Sequence, residues 1–95
     1  MTSGIERTVS VVVVGRVQGV GFRAWVKTRA QKLRLSGHVR NRADGAVEAV
    51  LSGTSDAVAE MIDACRQGPP VARVDEVTVS NRSEETPPGF LILRD

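Results

Sequence analysis

A run of β-branched residues leads directly into a glycine-rich segment near the start of the chain. Residues 8–14 read TVSVVVV, and residues 15–23 read GRVQGVGFR. The first segment predicts a strand, because β-branched side chains favour extended backbone. Three glycines in the next nine residues indicate backbone that approaches another group closely or adopts φ values that other residues resist. Any fold for this chain must therefore follow its first strand at once with a tight loop.

Hydrophobic periodicity and turn signals predict six further elements after this loop. They are a helix from Phe22 that Gly37 ends, strands over residues 38–41 and 46–51 joined by an Asp-Gly turn, a helix over residues 54–67, and strands over residues 73–80 and 89–93. The last strand is short. Before this last strand, the order is β-α-β-β-α-β. It places the chain in the α+β class, as a ferredoxin-like sandwich in which two helices cover one face of an antiparallel sheet.

This order brings two distant loops together. A strand, a crossover helix and a second strand of the same sheet make the two strands parallel. The glycine loop of residues 15–22 leaves the carboxyl end of the first strand, and residues 41–45 leave the carboxyl end of the second. Both loops are therefore expected at the same edge of the sheet, where they can build one site.

Length and composition predict one small intracellular domain. The chain has 95 residues, of which 41% are hydrophobic, enough for a single two-layer core. We expect one domain over residues 1–95, with residues 1–7 as a flexible extension. The longest apolar run is residues 11–14, too short to span a membrane, so the protein is expected in the cytoplasm with no membrane partner. Its one cysteine, Cys65, is predicted to be a buried, inert thiol.

The charge balance argues against a nucleic-acid partner. The net charge is only +2, whereas nucleic-acid binders concentrate basic residues in a patch or stripe. An RNA-recognition sheet shares the predicted element order, but it reads bases with aromatic side chains, and only 3% of the residues are aromatic. Eleven of the 13 basic residues are arginine, whose fork of donors suits phosphate or carboxylate oxygens.

The glycine loop admits several interpretations. Residues 19–24, GVGFRA, match the dinucleotide fingerprint, but the chain lacks the further parallel units of a dinucleotide fold. No Gly-Lys-Ser/Thr follows, which excludes a Walker loop. One remaining interpretation is a nest of backbone N–H groups that binds a small anion together with Arg23. The other is a simple tight turn that leaves Arg23 as a solvated surface residue.

Three segments in this order and spacing resemble the acylphosphatase family. They are GRVQGVGFR, GHVRNRADGAVEAVLSG and GPPVARVDEV, and the resemblance runs from about residue 8 to the C-terminus. It implies the ferredoxin-like fold and hydrolysis of small-molecule acyl phosphates to a carboxylate and inorganic phosphate. It also implies that Arg23 is the phosphate-binding catalytic arginine and that Asn41 positions the attacking water. Backbone donors to the phosphoryl oxygens would come from Gln18, Gly19, Val20, Gly21 and Phe22.

The chemistry of such a reaction fits these residues. A carboxylate leaving group has a conjugate acid with a pKa of about 4, so it departs without a general acid. Phosphoryl transfer depends mainly on positioning and charge stabilisation, which one arginine, a set of amides and an asparagine carbonyl can supply. We therefore expect direct attack by water, no metal and no cofactor, with phosphate acting as product and competitive inhibitor. We also expect a monomer. A non-catalytic anion-binding module on the same fold is the alternative.

Strand alternation separates Asn41 from its charged neighbours. His38 occupies a position where the family usually has a bulky apolar residue. Since it lies three residues from Asn41 on the predicted strand, it is expected on the opposite face as a structural or surface histidine. Arg40 and Arg42 are likewise expected to be solvated surface charges. Asp44 is predicted to stabilise the turn through a local hydrogen bond.

Overall fold

The computed structural model describes residues 6–83 and 86–94, which form two helices and five strands of one sheet. In chain order they are β1 (Glu6–Arg16), α1 (Phe22–Lys32), β2 (Ser36–Asn41), β3 (Val47–Thr54), α2 (Ser55–Gln67), β4 (Arg73–Arg82) and β5 (Phe90–Ile92). The spatial order of the strands is β4-β1-β3-β2-β5. Both β1 and β2 pair antiparallel with β3 between them, so they are parallel to each other. The predicted ferredoxin-like arrangement is confirmed.

The core lies between one face of the sheet and the two helices. In β1, Val9, Val11 and Val13 are at most 1% exposed, because alternate side chains of a strand point to the same face. The facing positions of β3 belong to the same cluster, and both helices contribute apolar residues to it. The opposite face of the sheet is polar at many positions, including a hydrogen bond of 2.8 Å between the Thr8 and Ser52 hydroxyl groups.

Local sequence signals account for α2. The Thr54 hydroxyl accepts a hydrogen bond from the backbone N–H of Ala57 at 3.2 Å, as an N-cap residue does. The apolar stripe of the helix, which includes Met61 and Cys65, is buried. The helix ends at Gln67, the predicted last residue, and Gly68 is its C-cap. Neither helix in the described part of the chain is long and apolar enough to cross a membrane.

The end of α1 differs from the prediction. Gly37 does not end this helix but lies within β2, where a Cβ would collide with the Val50 carbonyl oxygen. Arg34 adopts the left-handed conformation instead, with φ 60°. Its N–H donates to the Gln31 carbonyl at 3.0 Å, and the N–H of Leu35 donates to the Ala30 carbonyl at 2.9 Å. These two bonds are those of a Schellman motif, so the chain leaves the helix three residues earlier than Gly37.

Two further expectations need correction at the edges of the sheet. The sheet is mixed and not wholly antiparallel, because β5 pairs parallel with β2. The expected extension of residues 1–7 overlaps β1, since Glu6 and Arg7 pair with Thr54 and Gly53. Residues 1–5 lie outside the described part of the chain.

Candidate active site

The glycine loop connects β1 to the N-terminus of α1. Gly19 and Gly21 have φ values of 77° and 78°, which glycine adopts without the strain that a Cβ would impose. Gly21 is the N-cap of α1, and no side chain caps this end. The first hydrogen bond at this end joins the Trp25 N–H to the Gly21 carbonyl at 3.0 Å. The N–H groups at the start of α1 therefore remain available to an anion.

A cavity of about 270 Å³ opens at this loop. Its lining residues come from three parts of the chain that are distant in sequence: Val17, Gly19, Gly21, Phe22, Arg23, Ala24, Asn41, Ile92 and Arg94. Five of the residues singled out in the sequence thus meet at one cavity, namely Gly19, Gly21, Phe22, Arg23 and Asn41. Val20 packs against the hydrophobic core instead, and Gln18 does not line the cavity. The parallel arrangement of β1 and β2 brings their carboxyl ends together here, as their crossover connection requires.

Asn41 is the last residue of β2, on the same side of the strand as the buried Val39. Its Oδ1 atom is buried and accepts no hydrogen bond from any described residue. A buried acceptor without a donor costs about 1–3 kcal/mol, and native proteins rarely leave one unsatisfied. This oxygen is therefore suited to accept a hydrogen bond from a small donor that enters the cavity.

The Arg23 side chain is half-buried in the first turn of α1, a turn that contains no acidic residue. Its Nη1 atom donates to the Leu93 carbonyl oxygen at 3.4 Å. The N–H of Leu93 in turn donates to the Val39 carbonyl at 2.8 Å, which attaches this segment to β2. A cation here opposes the helix dipole unless an anion lies nearby. The guanidinium and the helix N-terminus together form a positively polarised wall of the cavity.

The Gln18 side chain connects the glycine loop to the turn that follows Asn41. Its Nε2 atom donates to the backbone carbonyls of Arg42 at 2.8 Å and Ala46 at 2.9 Å. Both N–H bonds of the amide group are used. These side-chain contacts of Gln18 were not predicted from the sequence, because they depend on the meeting of the two loops.

The charged residues next to Asn41 lie away from the cavity, as strand alternation predicted. Arg40 of β2 forms a salt bridge with Glu48, its partner on β3, at 2.8 Å. Both side chains lie on the face of the sheet that is opposite the helices. Arg42 pairs with Asp44 at 3.0 Å, and the Asp44 carboxylate also accepts from the N–H of Ala46 at 3.1 Å. The local hydrogen bond predicted for Asp44 is confirmed. His38 is half-buried and alternates with the buried Gly37 and Val39, which face the core.

Four lining residues were not predicted from the sequence, and two of them come from the segment around β5. Ile92 and Arg94 reach the cavity because β5 pairs with β2 at Val39. A short apolar segment near a chain end does not indicate beside which strand it will lie. Arg94 adds a second guanidinium to a lining in which no described residue carries a carboxylate.

The described residues offer no cluster of three His, Cys, Asp or Glu side chains that would serve as metal ligands. Cys65 is fully buried within α2. Burial raises the pKa of its thiol to about 12, although the positive charge of Arg29 acts in the opposite direction. The thiol is therefore neutral and unreactive in the folded protein, as predicted.

Comparisons with known proteins identify the family of this chain. The family model for acylphosphatases matches residues 9–92. An acylphosphatase of Acidiphilium cryptum is 49% identical over 81 residues, which cover 85% of this chain and 89% of the relative. The crystal structure of an acylphosphatase from Bacillus subtilis has a TM-score of 0.87 and 38% identity, with 94% of this chain and 99% of that chain covered. An acylphosphatase structure from Coxiella burnetii has a TM-score of 0.89 and 35% identity, with 93% of each chain covered. The chain belongs to the acylphosphatase family.

Proposed function

We propose that this protein hydrolyses acyl phosphates by direct attack of a water molecule that Asn41 holds in line with the phosphorus atom. The activity is that of a hydrolase acting on carboxylic-phosphoric mixed anhydrides, in keeping with the family. The water oxygen forms a bond to phosphorus as the bond from phosphorus to the acyl oxygen breaks. The products are a carboxylate and inorganic phosphate, and no phospho-enzyme forms.

The buried Oδ1 atom of Asn41 is the observation that carries this proposal. It needs a donor, and a water molecule in the cavity supplies one while keeping a lone pair for phosphorus. An asparagine carbonyl is too weak a base to remove the proton, so its contribution is orientation of the water. A protein that only bound phosphate would need the cations and amides but not this acceptor.

Arg23 and the N-terminus of α1 stabilise the charge of the phosphoryl group. The guanidinium donates to the equatorial oxygens, and the free N–H groups of the loop and of the first helical turn complete the set of donors. These groups are held before substrate arrives, because Leu93 supports the Arg23 side chain. Such preorganised donors stabilise the transition state without reorganisation.

The leaving group accounts for the absence of a general acid from the mechanism. A carboxylate leaves unprotonated near neutral pH, since its conjugate acid has a pKa of about 4. Alkyl phosphate monoesters release an alkoxide that requires a proton from a general acid. Among the residues that the structure describes, the cavity lining includes no Asp, Glu, His, Lys, Tyr or Cys. We therefore expect monoesters to be poor substrates.

The test is phosphate release from benzoyl phosphate in the presence of EDTA. We expect turnover to persist in EDTA and kcat/KM to fall by about 10²–10³ in Arg23→Ala, the usual effect of removing one transition-state donor. Arg23→Ala should also lose competitive inhibition by inorganic phosphate. Asn41→Ala should lower kcat while the phosphate inhibition constant stays the same, because Asn41 contacts the water and not the bound anion.

Matched controls are available elsewhere on the surface. Arg34→Ala removes an exposed arginine beyond the far end of α1, and Asn81→Ala removes an exposed asparagine of β4. Both should leave the kinetics unchanged. Native protein that binds phosphate but releases none from benzoyl phosphate above the uncatalysed rate would refute the proposal and establish an anion-binding module instead.

We further infer that the enzyme acts as a monomer in the cytoplasm and that its phosphate product competes with substrate. The three large exposed apolar residues among those described are Val14, Val71 and Leu91, and they belong to β1, to the loop before β4 and to β5. Such scattered residues do not indicate an interface between copies. The free, unpaired thiol of Cys65 is compatible with a reducing compartment.

A further inference from the structure

We propose that Gln18 is a positioning residue that sets the distance between the phosphate-binding loop and Asn41. The inference rests on the proposed function, because its readout is the rate of the same hydrolysis. Gln18 lies in the loop, two residues after the end of β1, while the two carbonyls that it contacts lie in the turn between β2 and β3. One side chain therefore spans the two loops that carry the anion donors and the water-positioning amide.

The geometry of the contact restricts the turn at two points. Arg42 directly follows Asn41, the last residue of β2, and Ala46 directly precedes Val47, the first residue of β3. Across the turn, the N–H of Arg42 donates to the Ala46 carbonyl at 2.8 Å, and the N–H of Gly45 donates to the Arg42 carbonyl at 3.2 Å. The turn is thus closed by its own backbone bonds. The Gln18 amide does not create the turn but fixes its position relative to the glycine loop.

Both N–H donors of the Gln18 amide are required to fix the position of the turn. A single hydrogen bond would leave the turn free to pivot about one carbonyl, whereas two bonds to carbonyls on opposite strands of the turn define its orientation. The lining of the cavity shows the same division of roles. Asn41 lines it, and Gln18 does not, so the Gln18 side chain acts on the reaction through the placement of Asn41.

The placement of Asn41 affects the hydrolytic step more than it affects phosphate binding. Phosphate is held by Arg23 and by backbone donors of the loop, which remain when the Gln18 side chain loses its amide. In-line attack depends on where Asn41 holds the water, and a misplacement of about 1 Å can lower a rate by about 10²-fold. Loss of the amide should therefore reduce kcat and leave phosphate affinity unchanged.

The experiment compares Gln18→Met with the native protein and with Gln31→Met. Methionine retains the length of the side chain but donates no hydrogen bond, and Gln31 is exposed on α1. Assays with benzoyl phosphate are run well below the thermal midpoint of each variant, so that every sample is folded. We expect Gln18→Met to lower kcat by about ten- to a hundredfold, with the phosphate inhibition constant within twofold of native. Gln31→Met should match the native protein.

A double-mutant cycle with Asn41→Ala distinguishes positioning from general support of the fold. If Gln18 acts through Asn41, Gln18→Met should change kcat by less than twofold when Asn41 is already alanine. An equal loss of kcat in both backgrounds would overturn the inference, as would a single variant with native kcat or with phosphate affinity reduced in parallel with kcat. These outcomes require only that the native protein turns over. Absence of turnover in the native protein would instead refute the proposed function.

Discussion

Replacement of Gly21 by alanine tests whether the left-handed backbone at the start of α1 shapes the anion site. Gly21 has φ 78° and ψ 18°, and a Cβ added to it would meet no atom within 4 Å. The cost is therefore backbone strain alone, about 1–2 kcal/mol for an L-residue in this conformation. Alanine also reduces the entropy of the unfolded chain, which offsets about 0.4–1 kcal/mol. We expect a net destabilisation of about 1 kcal/mol and a midpoint lowered by about 4–8 °C.

Gly89→Ala supplies the matched control for this substitution. Gly89 has φ 92°, and its added Cβ likewise meets nothing within 4 Å, but it precedes β5 at the end that does not line the cavity. Both variants should lose similar stability in urea or thermal unfolding. Only Gly21→Ala should weaken phosphate binding, by about tenfold or more if it displaces one N–H donor from the anion. The dissociation constant is measured by calorimetric titration with inorganic phosphate.

Two results would refute this reasoning. Equal weakening of phosphate binding in both variants would mean that the effect is general destabilisation and not the geometry of the loop. Native phosphate affinity in Gly21→Ala, together with the expected loss of stability, would mean that the loop tolerates the strained backbone without moving its N–H donors. Glycine at this position would then contribute to stability and not to the geometry of the anion site.

Three further predictions concern a helix cap, a second cation and a buried thiol. Thr54→Ala removes the N-cap hydrogen bond of α2 and should lower the free energy of unfolding by about 1 kcal/mol without changing kcat. Urea denaturation and the hydrolysis assay measure the two quantities, and a loss of stability below about 0.3 kcal/mol would contradict the prediction. Arg94→Gln should raise the phosphate inhibition constant by about two- to fivefold, the range of an exposed ion pair, with a smaller effect in high salt; an effect independent of salt would argue against a charge contribution. The pKa of Cys65 is raised from 9.0 to about 12, so the unfolded state loses its thiol proton at a lower pH than the folded state does. The free energy of unfolding should therefore be fully retained below pH 9 and fall as the pH rises toward 12, by at most about 1.4 kcal/mol per pH unit. Cys65→Ala should lack this contribution, and equal slopes in the two proteins would contradict it.

The sequence was most informative where local signals determine structure. For α2, a cap at Thr54, an apolar stripe and a Gly-Pro-Pro stop are all contained in one segment, and the structure follows them. For α1, Gly37 was the predicted end of the helix, but Arg34 supplies the left-handed residue. A non-glycine residue in this conformation is held there by the bonds of the Schellman motif and by the buried Leu35 after it. Composition does not reveal such a residue.

The parts of the site that were not predicted depend on contacts between distant segments. Arg23 and Asn41 could be assigned to one edge of the sheet because a crossover connection fixes the relative direction of β1 and β2. No comparable rule indicated that β5 would pair with β2 and bring Arg94 to the cavity. The Gln18 side chain contacts carbonyls that are 24 and 28 residues away. Carbonyls are present at every residue, so a sequence motif cannot identify which of them will be bound.

The proposed reaction explains why so small a fold needs few chemical groups. Three chain segments end at one edge of the sheet: β1 leads into the anion donors, β2 ends at the water-positioning amide, and β5 leads to the carbonyl that supports Arg23. A good leaving group removes the need for a general acid, and a loose transition state reduces the need for a strong base. What remains is positioning, and positioning is what paired strands and a short cross-link such as Gln18 provide. On this view, substitutions that alter the spacing of the two loops should lower the rate although they remove no donor to the phosphate.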